Sequence, residues 1–351
     1  MSSNRLPSIL TPVRRFAAIT VALLLVGSAT AQAQAPQVRL VEDASGWTLQ
    51  VDGEPFMVLG MNWDYFPIGQ NYAYTFWSEP DEMIIAALDR EMTLLQSMGV
   101  NTIRQYVGVP PRWVQYIYER YGIFTVLNHA VGRYGVTVDG VWIESTDYSH
   151  PRTRQMLTAE VLEMVDDFRG TPGVLMWLLG NENNYGLTWS SAETEDLPEG
   201  ERDAAKARHL YSLFGEITRA IQARNTGIPV AMANGDLQYI DIIAEEMEGL
   251  DVFGANVYRG ISFRDMFEEV RDKLGIPIML TEFGADAWNA REMREDQYTQ
   301  ARYLLGQWKE IYANSSGKGL VGNSIGGLTF QWSDGWWKFR QEEFLDVHDT
   351  N

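Results

Sequence analysis

Residues 173–182 read GVLMWLLGNE and residues 277–282 read PIMLTE. Each is an apolar run, opened by Gly or Pro, too short for a buried helix and closed by a glutamate. A short continuous apolar run bounded by turn signals is the mark of a strand buried on both faces, as in parallel sheets. Outward from these two runs, similar segments alternate with stretches of helical period. Strands are expected at 57–61, 102–106, 123–127, 173–179, 228–233, 252–257, 277–281 and 326–331. Helices are expected at 81–99, 112–121, 153–168, 201–224, 239–248, 263–274 and 296–313.

Eight strands, nearly all followed by a helix, in about 300 residues is the arithmetic of an α/β fold of the (β/α)8 TIM-barrel type. A doubly wound open sheet is the runner-up. It calls for a Gly-rich phosphate loop, and no GxGxxG or GxxxxGK[ST] pattern occurs. Residues 36–56, with the turn pair Asp52-Gly53, read as a short β-hairpin ahead of a barrel domain at 57–351. About twenty residues follow the eighth strand, so the last helix is expected to be short, missing or truncated.

Residues 1–35 read as a secretory signal peptide with a short linker. Arg5, Arg14 and Arg15 precede an apolar run, FAAITVALLLV at 16–26, and then small residues, GSATAQAQA. Cleavage after Ala31, Ala33 or Ala35 is expected, which places the mature chain outside the cytoplasm, secreted or periplasmic. The run is short for a span of about 20 residues, so no membrane association is expected once the leader is gone. Removing the three arginines takes the formal charge of −19 to about −22. Such a surface disfavours nucleic acid and suits a neutral partner. There is no cysteine, hence no disulfide and no thiolate metal site. The four histidines lie at no metal-ligand spacing, and no metal or cofactor is expected. Aromatics make up 12% of the chain, with twelve tryptophans, the side chain that stacks on sugar faces.

In a barrel of this kind the chemistry sits at the carboxyl ends of the strands. The fourth strand runs into Asn181-Glu182 and the seventh into Thr281-Glu282, so two carboxylates emerge at one rim from strands three apart. Splitting a glycosidic bond asks for such a pair. One is protonated to release the leaving oxygen; the other is ionised to attack the anomeric carbon. Glu282, which must stay charged, needs donors; Arg104 and Tyr258, ending the second and sixth strands, are placed to supply them. Glu182 is then expected to have its pKa raised by the neighbouring anion.

The segments WLLGNENN, VYRG, LTEFGADAW and FQWSDGWWK resemble the clan A glycoside hydrolases, most of all the TIM-barrel domain of family 2. GEPFMVLGMNW and LQSMGVNTIRQY look like that family's first two barrel strands. The likeness covers roughly residues 50–340. It implies a retaining enzyme acting on β-linked oligo- or polysaccharides, with Glu182 as acid/base and Glu282 as nucleophile. It also implies that Asn181 binds the sugar 2-hydroxyl, that Trp332 floors the reacting subsite and that Arg104 and Tyr258 orient Glu282. Family 2 enzymes carry a jelly-roll and an immunoglobulin-like domain ahead of the barrel, where this chain has about twenty residues. A barrel behind a short hairpin also resembles β-1,3-glucanosyltransferases, so a transferase is the alternative, and a non-catalytic carbohydrate-binding protein a further one.

Secondary candidates surround this pair. Asn62, Trp63, Asp64 and Tyr65 follow the first strand, where a sugar-binding loop is expected, with Trp63 and Tyr65 either as platforms for a glycan or as a plug in the barrel mouth. Asn128 and His129 end the third strand, placed to hydrogen-bond sugar or a neighbouring carboxylate, with a supporting histidine as the other reading of His129. Asn256, two residues before Tyr258, is expected on the same face one layer deeper, where a core hydrogen bond explains it as well as a site role does, and it is left out of the expected site. Trp189, Trp288 and one of Trp336 or Trp337 sit on expected rim loops, better explained by carbohydrate than by packing.

Overall fold

The computed structural model describes Met1 and residues 35–106, 108–188, 192–336 and 338. The expected leader and the expected platform Trp189 lie outside the described residues, as does Trp337.

The barrel strands, counted one to eight, are Val58–Asn62, Thr102–Tyr106, Phe124–His129, Val174–Leu179, the pair Val230–Met232 and Asn234–Gly235, Phe253–Val257, Ile278–Phe283 and Ser324–Thr329. Each pairs in parallel with the next, and strand eight returns to strand one from Gly326↔Val58 to Thr329↔Met61. Strand five is broken at Ala233. Its first piece pairs with strand four (Val230↔Trp177) and its second with strand six (Asn234↔Ala255), so together they close the ring. Closure removes the free sheet edges that an open sheet has to protect. Among the described residues seven α-helices alternate with the strands: α1 (Asp81–Ser97), α2 (Pro111–Tyr121), α3 (Pro151–Asp167), α4 (Glu199–Gln222), α5 (Ile240–Glu246), α6 (Met266–Leu274) and α7 (Gln297–Ala313). The expected elements are all present, their ends moved by a few residues. Prolines at the first helical position open α2 and α3, where the missing N–H costs nothing.

The two-residue period of the strands sorts side chains into two layers. Val126, Leu178, Met279 and Leu328 belong to the layer inside the barrel. Their alternates Leu127, Trp177 and Leu280 pack outward with Val114, Leu157, Phe214 and Val270 of the helices. This parity decides where each polar side chain near the mouth points.

The amino-terminal hairpin is a three-stranded antiparallel meander instead: Val38–Asp43, Gly46–Val51 and the short Glu54–Pro55. The Asp52-Gly53 turn adds the third strand. Its Val38 and Leu49 are buried with the inner layer, and Trp47 N–H donates to Gly322 O at 2.7 Å, so the meander closes the end of the barrel opposite the mouth. Two small hairpins not foreseen, Val136–Val138 with Val141–Ile143 and Trp288–Asn289 with Arg294–Glu295, extend the loops after strands three and seven. Among the described residues no helix is long and apolar enough to cross a membrane.

Gly46 and Gly53 give a test of this docking. Both have positive φ, +119° and +86°, but a Cβ at Gly46 would overlap the carbonyl of Gly322 while one at Gly53 would meet nothing within 4 Å. Gly53→Ala should cost about 1 kcal/mol through backbone strain. Gly46→Ala should cost at least about twice that, read as a fall in the urea midpoint, because the meander has to shift off the barrel.

Candidate active site

Inward parity at the mouth falls on polar residues in strands one to three: Asn62, Arg104 and Asn128, all buried. Arg104 is the centre of this layer, with its side chain fully enclosed. Its Nε and Nη2 donate to Asn128 Oδ1 at 2.9 and 2.6 Å, and Nη2 also donates to Asn181 Oδ1 at 2.8 Å. Nη1 donates to Glu282 Oε1 at 2.8 Å and to Thr281 O at 3.3 Å. The guanidinium also lies 5.0 Å from the Tyr106 ring centroid, a cation–π contact.

Glu282 reaches this centre because strand seven carries an irregularity. Ala255 pairs with Leu280 but Asn256 with Glu282, so Thr281 is an extra residue against strand six. Such a bulge re-aims a side chain. Here two consecutive residues, Thr281 and Glu282, both meet the interior: Thr281 Oγ1 donates to Asn256 Oδ1 at 2.7 Å, and Glu282 takes Arg104 and the Tyr258 hydroxyl, the latter at 3.0 Å on Oε2. The Tyr258 ring is half open to solvent, yet its hydroxyl end points inward. Burial first, and then the Glu282 anion, push that hydroxyl far above the ordinary tyrosine range, so it remains a donor.

Glu182 turns at a left-handed φ of +55°, with its N–H bonded to Ala233 O at 2.9 Å. Its carboxylate has a poorer environment than that of Glu282: Asn256 Nδ2 is its donor, at 3.2 Å on Oε1. Burial, and secondly the charge of Glu282, raise its pKa above the usual glutamate range, while the Asn256 amide lowers it. Asn256 also donates to Asn181 Oδ1 at 3.1 Å, and Asn181 Nδ2 donates to the Tyr134 hydroxyl at 2.7 Å. Glu282 and Asn181 open into a cavity of about 840 Å³ whose walls include Asp64, Tyr65, Phe66, Tyr72, Tyr74, Tyr106, Tyr134 and Phe330.

Five expected site residues are therefore in one network: Glu182, Glu282, Asn181, Arg104 and Tyr258. Others are elsewhere. His129 has the parity of Leu127 and faces out of the barrel, toward Glu160 of α3 at 3.9 Å. Its Nδ1 accepts from Val131 N–H, and burial lowers its pKa to about 4, so it is a neutral supporting residue and not a sugar ligand in this cleft. Asn128, its neighbour, faces inward in its place. Trp63 shares the outward parity of Met61; its buried indole donates to Glu91 of α1 at 2.8 Å and packs on Phe76. It forms cavity wall, with no free face to stack on a sugar, and it plugs that wall, not the mouth. Trp332 bonds its N–H to Asn62 O at 3.0 Å, but its ring is half-buried against the outer layer, and Phe330 lines the cavity at this strand end. Trp288 is half-buried in its hairpin and does not line the cavity. Tyr106 and Tyr134 were not foreseen as site residues and Asn256 was set aside as a core group, whereas Asn62 and Asp64 stand on the expected sugar-binding loop and Asn128 at the expected strand end. The parity of NTIRQY and TVLNH was a usable signal for Asn128. Among the described residues no group of His, Asp and Glu is set to hold a metal ion.

Residues 82–318, about two thirds of the sequence, match the glycosyl hydrolases family 2, TIM barrel domain. The chain belongs to this family. No curated protein matches it in sequence. Among solved structures, the family 2 domain superposes on a Bacteroides uniformis β-glucuronidase with a TM-score of 0.59 at 14% identity, over 84% of this chain and 32% of that one. It superposes on a family 2 β-galacturonidase from Eisenbergiella tayi bound to galacturonate with a TM-score of 0.57 at 14% identity, over 87% and 49% of the two chains. For a β-D-glucuronidase of Dictyoglomus thermophilum the values are 0.56, 15%, 84% and 46%. The family 2 domain thus spans between a third and a half of the length of these proteins.

The Asn256 amide gives the network a measurable signature. It donates to the Glu182 carboxylate and so favours the ionised form. Asn256→Ala should raise the Glu182 pKa further, and Glu282→Gln, which removes a neighbouring anion, should lower it. Both are read by ¹³C NMR titration of labelled glutamate; a shift of the opposite sign in either variant refutes the wiring.

Proposed function

We propose that the chain is a retaining glycosidase that cleaves β-linked oligo- or polysaccharides, with Glu282 as nucleophile and Glu182 as acid/base. The observation that carries this reading is the difference between the two carboxyl environments. Glu282 accepts from a cation and a phenol, which suits a group that attacks as an anion. Glu182 is a poorly solvated acid whose pKa is raised, which suits a group that holds a proton until the leaving oxygen takes it.

In the first step a Glu282 oxygen bonds to the anomeric carbon as the glycosidic C–O bond breaks, and the Glu182 proton goes to the departing oxygen. Esterification removes the Glu282 charge, so Glu182 loses the influence that raised its pKa second most. In the second step a water gives its proton to Glu182 as its oxygen bonds to the anomeric carbon. The ester bond breaks, and Glu282 leaves as the anion. Asn181, held by Arg104, Asn256 and Tyr134, suits a fixed contact to the sugar 2-hydroxyl. The cavity volume, toward the upper end of the roughly 300–1,000 Å³ of small-molecule sites, favours an oligosaccharide. It also favours a second reading, transfer of the glycosyl group to a bound sugar hydroxyl, which requires an acceptor held at an effective concentration above that of water. The leader-like residues 1–35 support action outside the cytoplasm.

A 2-deoxy-2-fluoro β-glycoside should label Glu282, identified by peptide mass mapping; a label on any other carboxylate removes the assignment. Glu182→Ala should lower kcat on poor leaving groups by about 10²–10⁴. Azide should restore turnover of activated substrates and yield a β-glycosyl azide, whereas an α-azide would mean inversion. Chromatography with rising oligosaccharide acceptor separates the two readings, since only a transferase gives chains longer than the donor.

A further inference from the structure

Asp64 stands two residues past Asn62, on the loop leaving strand one, and its carboxyl lines the cavity together with Glu282 and Asn181. The polar side chains of the layer centred on Arg104 are engaged with one another, from Asn62 to Tyr258. Asp64 is the contrast: it makes no hydrogen bond or ion pair among the described residues. Burial raises its pKa to about 6, with Arg104 opposing and Glu282 adding to the shift. A desolvated carboxyl without a donor is costly, and natural structures keep one where function uses it.

Asp64 is only partly buried, so water in the cavity can donate to its carboxyl, and a ligand that displaces this water has to supply the donors instead. Adjacent hydroxyls of a pyranose supply two, which the two oxygens of a carboxylate can accept together. A uronic acid would instead bring another carboxylate to a wall that already holds Asp64 and Glu282. Arg104 cannot neutralise it, because its donors are taken by Glu282, Asn128, Asn181 and Thr281 O. Lys338 also lines the cavity, with its ammonium 4.7 Å from the Phe330 ring centroid, and is the group a uronate would have to use.

We propose that Asp64 is a specificity-determining residue that accepts hydrogen bonds from the hydroxyls of an uncharged sugar and turns uronic acids away. The assignment rests on the glycosidase reading, and it separates this chain from the glucuronidases and the galacturonidase whose barrels it shares. A site built to hydrogen-bond a hydroxyl rejects ligands lacking it strongly, since its own polar group is then left buried and unpaired.

The test is binding to the Glu182→Gln protein, in which turnover is suppressed, by calorimetry with aryl β-glucoside, β-galactoside, β-mannoside, β-glucuronide and β-galacturonide. The tightest ligand should be neutral, at least about tenfold tighter than the uronide of the same ring configuration. Adding Asp64→Asn should weaken the neutral ligand about tenfold and narrow the ratio. The same substitution should leave Tm unchanged or raise it, because the carboxyl has no partner in the protein to lose; a fall in Tm would mean a structural role and overturn the assignment. A uronide as tightest ligand, an unchanged ratio, no binding of any of the five, or uronide binding that Lys338→Ala abolishes while Asp64→Asn changes nothing would also overturn it. Neutral binding that depends on Asp64, with no turnover by the wild type, would sink the glycosidase reading alone. Turnover that Asp64→Asn leaves equal for both sugar classes would sink this inference alone.

Discussion

One buried guanidinium organises the mouth of this barrel. Arg104 has its whole side chain out of water, so its N–H donors and its charge must be answered from within. The answers come from four strands or strand ends: Asn62 on the first, Asn128 on the third, Asn181 past the fourth, and Thr281 O with Glu282 on the seventh. A charge enclosed in this way tolerates little movement, since any withdrawn partner leaves an unpaired donor in a medium of low dielectric. The apolar inner layer below it, with Val126, Leu178 and Leu328, gives no alternative partner. The polar layer is therefore a consequence of placing arginine there, and the position of Glu282 is a consequence of the layer.

The difference between the two glutamates follows from the same interaction. Arg104 touches Glu282 directly but reaches Glu182 only through Asn181 and Asn256. Two like acids on one rim are thereby held in unlike surroundings, one against a cation and a phenol and the other against an amide. Asn256 is the hinge of the arrangement. It accepts from Thr281, which the bulge in strand seven turns inward, and donates to both Asn181 and Glu182. Backbone irregularity, amide and acid form one chain of causes, which is why a bulge in strand seven bears on a carboxyl at the end of strand four.

The sequence carried most of the architecture, because hydrophobic period and element length are local properties. The eight strands and seven helices emerge from runs such as VLMWLLG and from amphipathic spacing. The two glutamates were legible too, since a strand end in a barrel is a position that can be counted. What failed depended on side-chain direction. Strand three continues to His129, two residues beyond its expected end, so Asn128 and His129 lie on opposite faces and the conspicuous residue is on the wrong one. Trp63 looked like a platform because it follows a strand; its parity with Met61 places it in the wall against α1. The bulge at Thr281, the break at Ala233 and the third strand of the meander are set by tertiary pairing, which no window of sequence contains.

A division of labour within the fold follows from these placements. The meander closes one end with Val38 and Leu49, so the strands can spend their other end on polar groups without leaving the inner layer open to water. There, the layer centred on Arg104 is saturated: each of its amides and its two glutamates already has a partner in the absence of any ligand. A saturated layer can hold reacting groups in register, but it has few bonds left with which to choose between substrates. Choice has to come from groups above it that are still unsatisfied. The loop leaving strand one supplies one in Asp64, an acid without a donor from the protein, and brings the rings of Tyr65, Phe66, Tyr72 and Tyr74 to the same cavity wall. Catalytic geometry in the strands and recognition in one loop can then vary independently. A chain that shares its fold with uronidases at 14% identity is free to differ from them in that loop.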